Sequence, residues 1–223
     1  MKILVACEES QAVTIVGREK GHEVYSCDLQ ECSGGHPEWH IKGDVLPLLN
    51  GNCRFQTMDG EWHEINGKWD MIIAHPPCTY MSNAGACRMY PRKGKVDPAR
   101  YEKAMEAKKF FMAFYNADCP RIAIENPTPM RLIGLPEYTQ ATQPHDHGDP
   151  YTKRTCLWLI GLPPLVPSNP VAPVGPYVRG NAETWKKQAA KGFVYGKEKS
   201  AKHRSKTFPG LARAMIEQWA GQA

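Results

Sequence analysis

The sequence lacks any long hydrophobic run, and this excludes a protein that spans a membrane by helices. No stretch of about 18 consecutive apolar residues occurs, which is the length that a helix needs to cross a bilayer. The opening segment, MKILVACEES, turns acidic after a few residues and is too short for a secretory signal core. We therefore expect a cytoplasmic protein with no membrane partner.

Internal repeats and a regular cysteine spacing are also absent. The eight cysteines are scattered through 223 residues, a length that can bury a core without disulfides, so we interpret them as reduced thiols. Cys27, Cys32, His36 and His40 have spacings that a zinc site could use, but the first gap is unusual for zinc. We predict no metal site.

The net charge of +5 is unevenly distributed along the chain. Between Lys186 and Lys206 there are eight lysines and arginines against one acid, Glu198. A second basic group follows the sequence HPPCTY and consists of Arg88, Arg92, Lys93, Lys95 and Arg100. One basic run is usually a solvated surface, but two of them favour a polyanionic partner, and we expect that partner to be nucleic acid.

Segments typical of strands and helices alternate along most of the chain. Helices are predicted at 10–20 and at 98–115, where Asp97 is suited to be the N-cap. Short apolar runs predict strands at 2–6, 22–29, 40–44, 68–75, 121–126 and 155–161. The alternation predicts an α/β fold with a doubly wound, mostly parallel sheet, in which ligands bind at the carboxyl ends of the strands.

Three segments interrupt this alternation. Asp59-Gly60 lies between alternating residues and predicts a β-hairpin over 53–65. The proline-rich segment 161–176 is expected to be an extended connector. A short basic region follows it, and an amphipathic helix is predicted over 207–220.

The main chemical signal is the sequence HPPCTYMSNAG, which follows a predicted strand. Pro76 and Pro77 stiffen the turn and hold Cys78 on a rigid loop. A cysteine chosen at random is usually core filler, but a thiolate in this position is suited to be a nucleophile. The sequence therefore indicates Cys78 as a candidate catalytic residue.

Two further groups are predicted to reach the same edge of the sheet. Glu125 ends the neighbouring strand RIAIEN, where a carboxylate has no packing role, and Arg154 precedes a later strand. A cysteine, a glutamate and an arginine that converge can attack an electron-poor ring, handle its proton and stabilise its charge.

These residues resemble the motifs of the cytosine-C5 DNA methyltransferases, particularly small phage-type members. The nucleophile loop of that family reads Pro-Cys-Gln, then Phe-Ser, then Ala-Gly, and PPCTYMSNAG is similar to it with Thr79 in place of Gln. The family's Glu-Asn-Val resembles ENP here, and its Gly-Asp-Ile resembles GDV. The matching positions are Gly43, Asp44, Val45, Pro77, Cys78, Ser82, Ala84, Gly85, Glu125 and Asn126.

The resemblance implies a Rossmann-like methyltransferase fold and transfer of a methyl group to carbon 5 of cytosine in DNA. Cys78 would add to C6, Glu125 would engage N3 and the exocyclic amine, and Arg154 would steady the O2 side. The target base would have to leave the duplex stack to be reached. Implied substrate-binding positions are Pro77, Ser82, Asn126 and Lys153.

The resemblance also implies S-adenosyl-L-methionine, or a modified derivative, as the cofactor. Asp28 would bind its ribose hydroxyls and Asp44 its adenine amine, and Glu8 would face its ammonium group. The implied cofactor-binding positions are Ala6, Cys7, Glu8, Ser10, Asp28, Leu29, Gly43, Asp44, Val45, His75 and Pro76.

The chain departs from the family pattern in four places. The family's C-terminal Gly-Asn-x-Val-Pro-Pro motif is reduced to SKTFPG, in which only Phe208 and Pro209 correspond. VACEESQAV replaces the glycine-rich cofactor loop, and TKRTC keeps only Arg154 of the family's Gln-x-Arg-x-Arg. The long target-recognition domain is missing, so we expect recognition of a very short or relaxed sequence by a monomer. The resulting division is a methyltransferase catalytic domain at 1–162, a reduced recognition segment at 163–206 and a C-terminal helix at 207–223 that returns to the catalytic domain.

Two other functions remain open from the residues alone. One is methylation of an exocyclic amine of DNA, although HPPC lacks the Asp and the aromatic residue usual in such loops, and EN would then have no role. The other is a catalytically silent nucleic-acid-binding protein of the same fold, which the intact Cys78, Glu125 and Arg154 disfavour.

Overall fold

The computed structural model describes residues 1–177 and 205–223, so most of the basic run between Lys186 and Lys206 lies outside the described residues. The helices are α1 (Ala12–Glu19), α2 (Ala86–Met89), α3 (Pro98–Tyr115) and α4 (Pro209–Trp219). The strands are β1 (Lys2–Ala6), β2 (Glu23–Asp28), β3 (His40–Lys42), β4 (Cys53–Gln56), β5 (Trp62–Ile65), β6 (Met71–Ala74), β7 (Ile122–Asn126), β8 (Gln140–Thr142) and β9 (Thr155–Ile160).

The central element is a seven-stranded sheet of order β3-β2-β1-β6-β7-β9-β8. Strands β3, β2, β1, β6 and β7 pair in parallel, and β9 is antiparallel to both β7 and β8. The predicted α/β class with a mostly parallel sheet is confirmed. The antiparallel direction of β9 was not predicted, and it brings the start of β9 to the edge where the parallel strands end.

Helices cover both faces of this sheet. Because successive side chains of a strand point to opposite faces, Ile3 and Val5 of β1 pack with α1 and α4, whereas Leu4 and Ala6 pack with α3. The strands are rich in buried branched residues, as strands covered on both sides usually are.

Helix α4 packs on α1, the first helix of the chain. A salt bridge of 2.8 Å joins Lys20 Nζ to Glu217 Oε1. The Ala223 backbone N–H donates to the Lys20 carbonyl at 3.0 Å, and His22 Nε2 lies 3.0 Å from the Gly221 carbonyl oxygen. The C-terminal helix is therefore an integral part of the layer that covers this face.

Several predicted boundaries changed. The hairpin is confirmed as a separate two-stranded sheet of β4 and β5, and the helix over 98–115 is confirmed with Asp97 Oδ1 accepting from the Arg100 N–H at 2.7 Å. The strand predicted at 40–44 ends at Lys42, because Asp44 Oδ1 instead accepts from the Leu46 N–H at 3.0 Å and begins a short 3-10 turn. Strand β8 was not predicted at all.

The order of the strands positions the site. From β1 the chain moves outward through β2 and β3, then returns to the other side of β1 at β6. This reversal leaves a crevice outside the carboxyl ends of β1 and β6, which is where open α/β sheets bind their ligands.

No helix within the described residues combines the length and the apolar character needed to cross a membrane.

Candidate active site

A cavity of about 440 Å³ lies at the crevice between the ends of β1 and β6. Its walls are residues 7–10 after β1, Asp28 and Gln30 at the end of β2, residues 75–79 after β6, residues 125–127 at the end of β7, Lys153, and residues 205–207. Most of the polar motifs of the sequence therefore meet in one place, because their strands end at the same edge of the sheet.

The loop that carries Cys78 is held by its own turn and by the end of β7. The Ser82 N–H donates to the Cys78 carbonyl at 3.0 Å, and Asn126 Nδ2 donates to the Pro76 carbonyl at 2.9 Å. The Asn83 N–H reaches the Thr128 carbonyl at 2.9 Å. These contacts fix the loop from both sides, and they give buried Asn126 a positioning role.

Cys78 lies in an environment of opposed electrostatic effects. Burial raises the pKa of its thiol, and the nearby Glu125 carboxylate raises it further. The Lys153 ammonium and a hydrogen bond from Ser82 lower that pKa, but the balance stays above the ordinary value of a cysteine. The group is therefore a thiol at neutral pH until something changes its surroundings.

Glu125 is paired with His75. His75 Nδ1 lies 3.2 Å from Glu125 Oε2, and both side chains are largely buried. Burial alone would raise the pKa of Glu125, but the His75 hydrogen bond and the Lys153 charge outweigh it and hold the pKa below its usual range. Glu125 is thus a carboxylate that accepts from His75, and sequence reasoning did not find this pair.

Glu8 caps the N-terminus of α1, a role that differs from the predicted contact with the ammonium group of the cofactor. Its carboxylate accepts from the Val13 N–H at 2.6 Å, from the Thr14 N–H at 3.3 Å and from the Thr14 hydroxyl at 2.8 Å. It therefore fills the N-terminus of α1, where phosphate-binding α/β proteins hold their anion. Burial raises the pKa of Glu8, and the charge of His75 together with these hydrogen bonds offsets part of that increase.

Asp28, at the end of β2, is one of the acidic residues that line the cavity. Its Oδ1 accepts from the Gln30 N–H at 2.9 Å, and it lines the wall beside Cys7 and Ser10. Asp44 is exposed and does not line the cavity, since it lies beyond the shortened β3. Four other predicted cofactor positions also lie outside the lining: Ala6, Leu29, Gly43 and Val45.

Lys153, and not Arg154, faces the cavity. Arg154 is exposed, and its Nη2 donates to the Tyr138 hydroxyl at 2.9 Å. Neighbouring residues of an extended segment point to opposite sides, so only one of the two can reach the site. The predicted convergence of Arg154 with Cys78 and Glu125 is not found, and Lys153 supplies the positive charge.

A segment before α4 closes one side of the cavity and was not among the predicted site residues. Thr207 Oγ1 lies 3.5 Å from His75 Nδ1, and Lys206 Nζ donates to Ser33 Oγ at 3.0 Å. Phe208, which follows, packs against Tyr177 at a ring separation of 4.7 Å and has a structural role. The sequence SKTFPG was compared with a family motif through Phe208 and Pro209 only. Its polar residues, Lys206 and Thr207, were not predicted to belong to the site.

The four residues with zinc-like spacing do not form a metal site. His40 Nδ1 lies 2.8 Å from Ser26 Oγ and its Nε2 lies 2.9 Å from the Gln30 carbonyl oxygen, so both ring nitrogens have partners. Within 1–177 and 205–223, no group of three His, Cys, Asp or Glu residues is arranged to hold a metal ion.

Comparison with known proteins gives no family. No protein-family model matches the chain, and no curated protein matches it. We therefore infer function from the residues and the geometry of the cavity.

Proposed function

We propose that the protein is a DNA cytosine-C5 methyltransferase with a Rossmann-like methyltransferase fold. The observation that carries the proposal is that Cys78, Glu125 and Lys153 line one cavity at the crevice of the sheet. A nucleophile, a carboxylate and a cation are the groups that activation of a cytosine ring requires. The motif order and the loop PPCTYMSNAG support the same reaction.

The residues of the cavity fit S-adenosyl-L-methionine better than a phosphate-bearing cofactor. Glu8 occupies the N-terminus of α1, so that end of the helix cannot bind a phosphate group. Four acidic residues, Glu8, Glu9, Asp28 and Glu125, line the wall against two lysines, Lys153 and Lys206, and this excess of acids favours a ligand with cationic sulfonium and ammonium groups. Asp28 would bind the ribose hydroxyls. When bound, the cofactor supplies an electrophilic methyl group to carbon 5 of the base.

Cys78 performs the covalent step. Its thiolate forms a bond to C6 of the flipped cytosine, and the electron pair of the C5–C6 double bond becomes available at C5. After methylation, the hydrogen at C5 leaves as a proton to solvent water, the N3 proton returns to Glu125, and the Sγ–C6 bond breaks. The electron pair of that bond returns to Cys78 as the ring double bond is restored.

Glu125 and Lys153 control the protons and charges of this step. The Glu125 carboxylate can take the proton of the Cys78 thiol and pass it to N3 of the base, so that no separated charge remains. It also accepts from the exocyclic amine, while His75 holds it in place. Lys153 favours the thiolate. As the cation of the cavity nearest to this chemistry, it would stabilise the O2 side of the ring.

Nucleoside mass spectrometry after incubation of DNA with the protein and S-adenosylmethionine tests the proposal. We expect 5-methylcytosine from the wild type and none from Cys78→Ser, with 5-fluorocytosine DNA trapped covalently on Cys78. Cys87→Ser is the matched control, because Cys87 is an exposed free cysteine outside the cavity.

Each other outcome has a distinct meaning. Methylation of an exocyclic amine would support the amino-methyltransferase alternative. DNA binding with no methyl transfer would support a silent nucleic-acid-binding protein. A Cys78→Ser protein that still forms 5-methylcytosine would rule out the covalent mechanism.

A further inference from the structure

A second cavity of about 310 Å³ lies on the other side of the nucleophile loop. Thr79 lines the candidate active site, and the next residue, Tyr80, lines this second cavity. The remaining lining residues are Arg88, Asp97, Ala99, Arg100 and Lys103. Three cations against one carboxylate make it a positively charged cavity.

The single carboxylate in this cavity, that of Asp97, caps a helix and forms no salt bridge with the three cations. Asp97 Oδ1 accepts from the Arg100 backbone N–H at 2.7 Å and caps α3, so the positive end of the helix dipole also points toward this region. Within residues 1–177 and 205–223, none of Arg88, Arg100 and Lys103 forms a salt bridge. The three cations therefore form no ion pair within the described part of the chain, and Asp97 offsets only one of their three charges.

Arg100 and Lys103 are gathered around one aromatic ring. The Arg100 guanidinium carbon lies 5.0 Å from the Tyr80 ring centroid, and Lys103 Nζ lies 5.8 Å from it. Cation–π contacts of this kind hold the two side chains on the same side of the cavity. Two cations so close together favour an anionic ligand between or beside them.

Arg100 also contacts the nucleophile loop directly. Its Nη2 donates to the Thr79 carbonyl at 2.8 Å, which is its only side-chain hydrogen bond to the described residues, and its shielded Nε has no partner there. Gly85 makes this position accessible, because a Cβ at residue 85 would lie 2.9 Å from Arg100 Nη2. Donors remain on the guanidinium for the fork-like contact that arginine makes with phosphate.

We propose that this second cavity binds a backbone phosphate of a nucleic-acid strand. Arg100 is then shared between that phosphate and the loop of Cys78, while Arg88 and Lys103 supply further charge. The proposal rests on nucleic acid being the substrate, as in the proposed function, and names the place where its backbone is held. Phosphate contact there would fix the loop next to the nucleophile at the moment when the strand is bound.

Fluorescence anisotropy with a labelled 12-base-pair duplex tests the site without any methyl transfer. Arg88→Gln and Lys103→Gln should each weaken binding to all duplex sequences equally and reduce the log–log salt slope, by up to about 0.9 where the contact with the single phosphate is lost. Lys109→Gln is the matched control, since Lys109 is an exposed lysine of the same helix outside the cavity, and it should reduce the slope by less. If all three substitutions weakened binding equally, the effect would come from the net charge of the protein and not from this cavity, and the proposal would be overturned.

A second variant tests the link to the nucleophile loop. Arg100→Lys keeps the charge but loses the planar fork of donors that holds a phosphate and the Thr79 carbonyl in fixed positions. Duplex affinity should therefore change less than threefold, while trapping of 5-fluorocytosine by Cys78 slows at least tenfold. Equal loss of affinity and trapping would overturn the shared role of Arg100. If the wild type traps nothing, the proposed reaction fails and the anisotropy result alone decides the phosphate site.

Two further measurements, one with modified duplexes and one with a competitor, identify the source of the anion. Replacement of single phosphates by neutral methylphosphonates should find a position where the wild type loses affinity and Lys103→Gln does not. Poly-glutamate that displaces the duplex from the wild type but not from Lys103→Gln would instead indicate an acidic peptide ligand, and would contradict the proposal.

Discussion

Cys78 and Glu125 line the same cavity, and the charge of Glu125 opposes the ionisation of Cys78. A nucleophilic sulfur must lose its proton, yet burial and a neighbouring carboxylate both favour the protonated thiol. Lys153 is the described side chain whose charge opposes this effect on Cys78 and also helps to keep Glu125 ionised. One lysine therefore tunes both groups.

This arrangement predicts the pH dependence of Cys78 reactivity. Because its pKa is raised, alkylation of Cys78 by iodoacetamide should still be rising with pH where an ordinary cysteine has levelled off. Lys153→Met removes the stabilising charge and should slow alkylation near pH 8, and Glu125→Gln should accelerate it, each by up to roughly tenfold, since about 1.4 kcal/mol is a factor of ten.

Peptide mass spectrometry of each alkylated sample gives the rate at Cys78. The exposed Cys87 in the same sample is the internal reference and should respond to neither substitution. A Cys78 profile unchanged in Lys153→Met would mean that this lysine does not act on the thiol.

Some site residues could be predicted from the sequence and others could not. Cys78, Glu125 and Asn126 were predictable because each follows or ends an apolar strand, and parallel strands end at one edge. The sequence could not show that Lys153 faces the cavity and Arg154 does not, since this depends on the side to which each residue before β9 points. The His75–Glu125 pair was not predictable, since it depends on how the two side chains are oriented after β6 and at the end of β7, which packing sets.

At the level of elements, the lengths of β2 and β3 decide which carboxylate can meet a cofactor. Strand β2 continues to Asp28 and delivers it to the cavity, whereas β3 stops at Lys42 and leaves Asp44 in solvent. Strand β8 could not be predicted because three residues are too few to show a period.

These strand ends predict different effects for two similar substitutions. Asp28→Asn should weaken the binding of S-adenosylhomocysteine by roughly ten- to a hundred-fold, since a hydrogen bond to a charged group is worth about 1.5–3 kcal/mol. Asp44→Asn is the control and should leave the affinity unchanged. Titration calorimetry measures both, and an equal loss in the two variants would refute the assignment of Asp28.

At the level of the whole molecule, the proposed function bears on specificity, because the family that the chain resembles has a long target-recognition domain. Only the segment 163–206 stands in its place, and 178–204 of it lies outside the described residues. Its proline, glycine and lysine content suits phosphate contact, while readout of base edges needs several side chains on a rigid framework.

We therefore predict a short recognition site and binding dominated by charge. Contact with about five phosphates would give a log–log salt slope near −4.5 on duplex DNA. Bisulfite sequencing of DNA from cells that express the protein should show dense modification at sites of about two bases or at cytosine alone. A single modified motif with four or more fixed bases would show that the segment reads sequence after all.

The packing of α4 on α1 has a consequence for how the chain folds. Val13 and Val16 of α1 belong to the same apolar cluster as Leu211 and Met215 of α4, although almost the whole sequence separates them. During synthesis, β1, α1 and β2 leave the ribosome long before the residues that complete their covering layer. Such distant contacts slow folding and leave apolar surface open to aggregation or to chaperones, so we expect this layer to become native last.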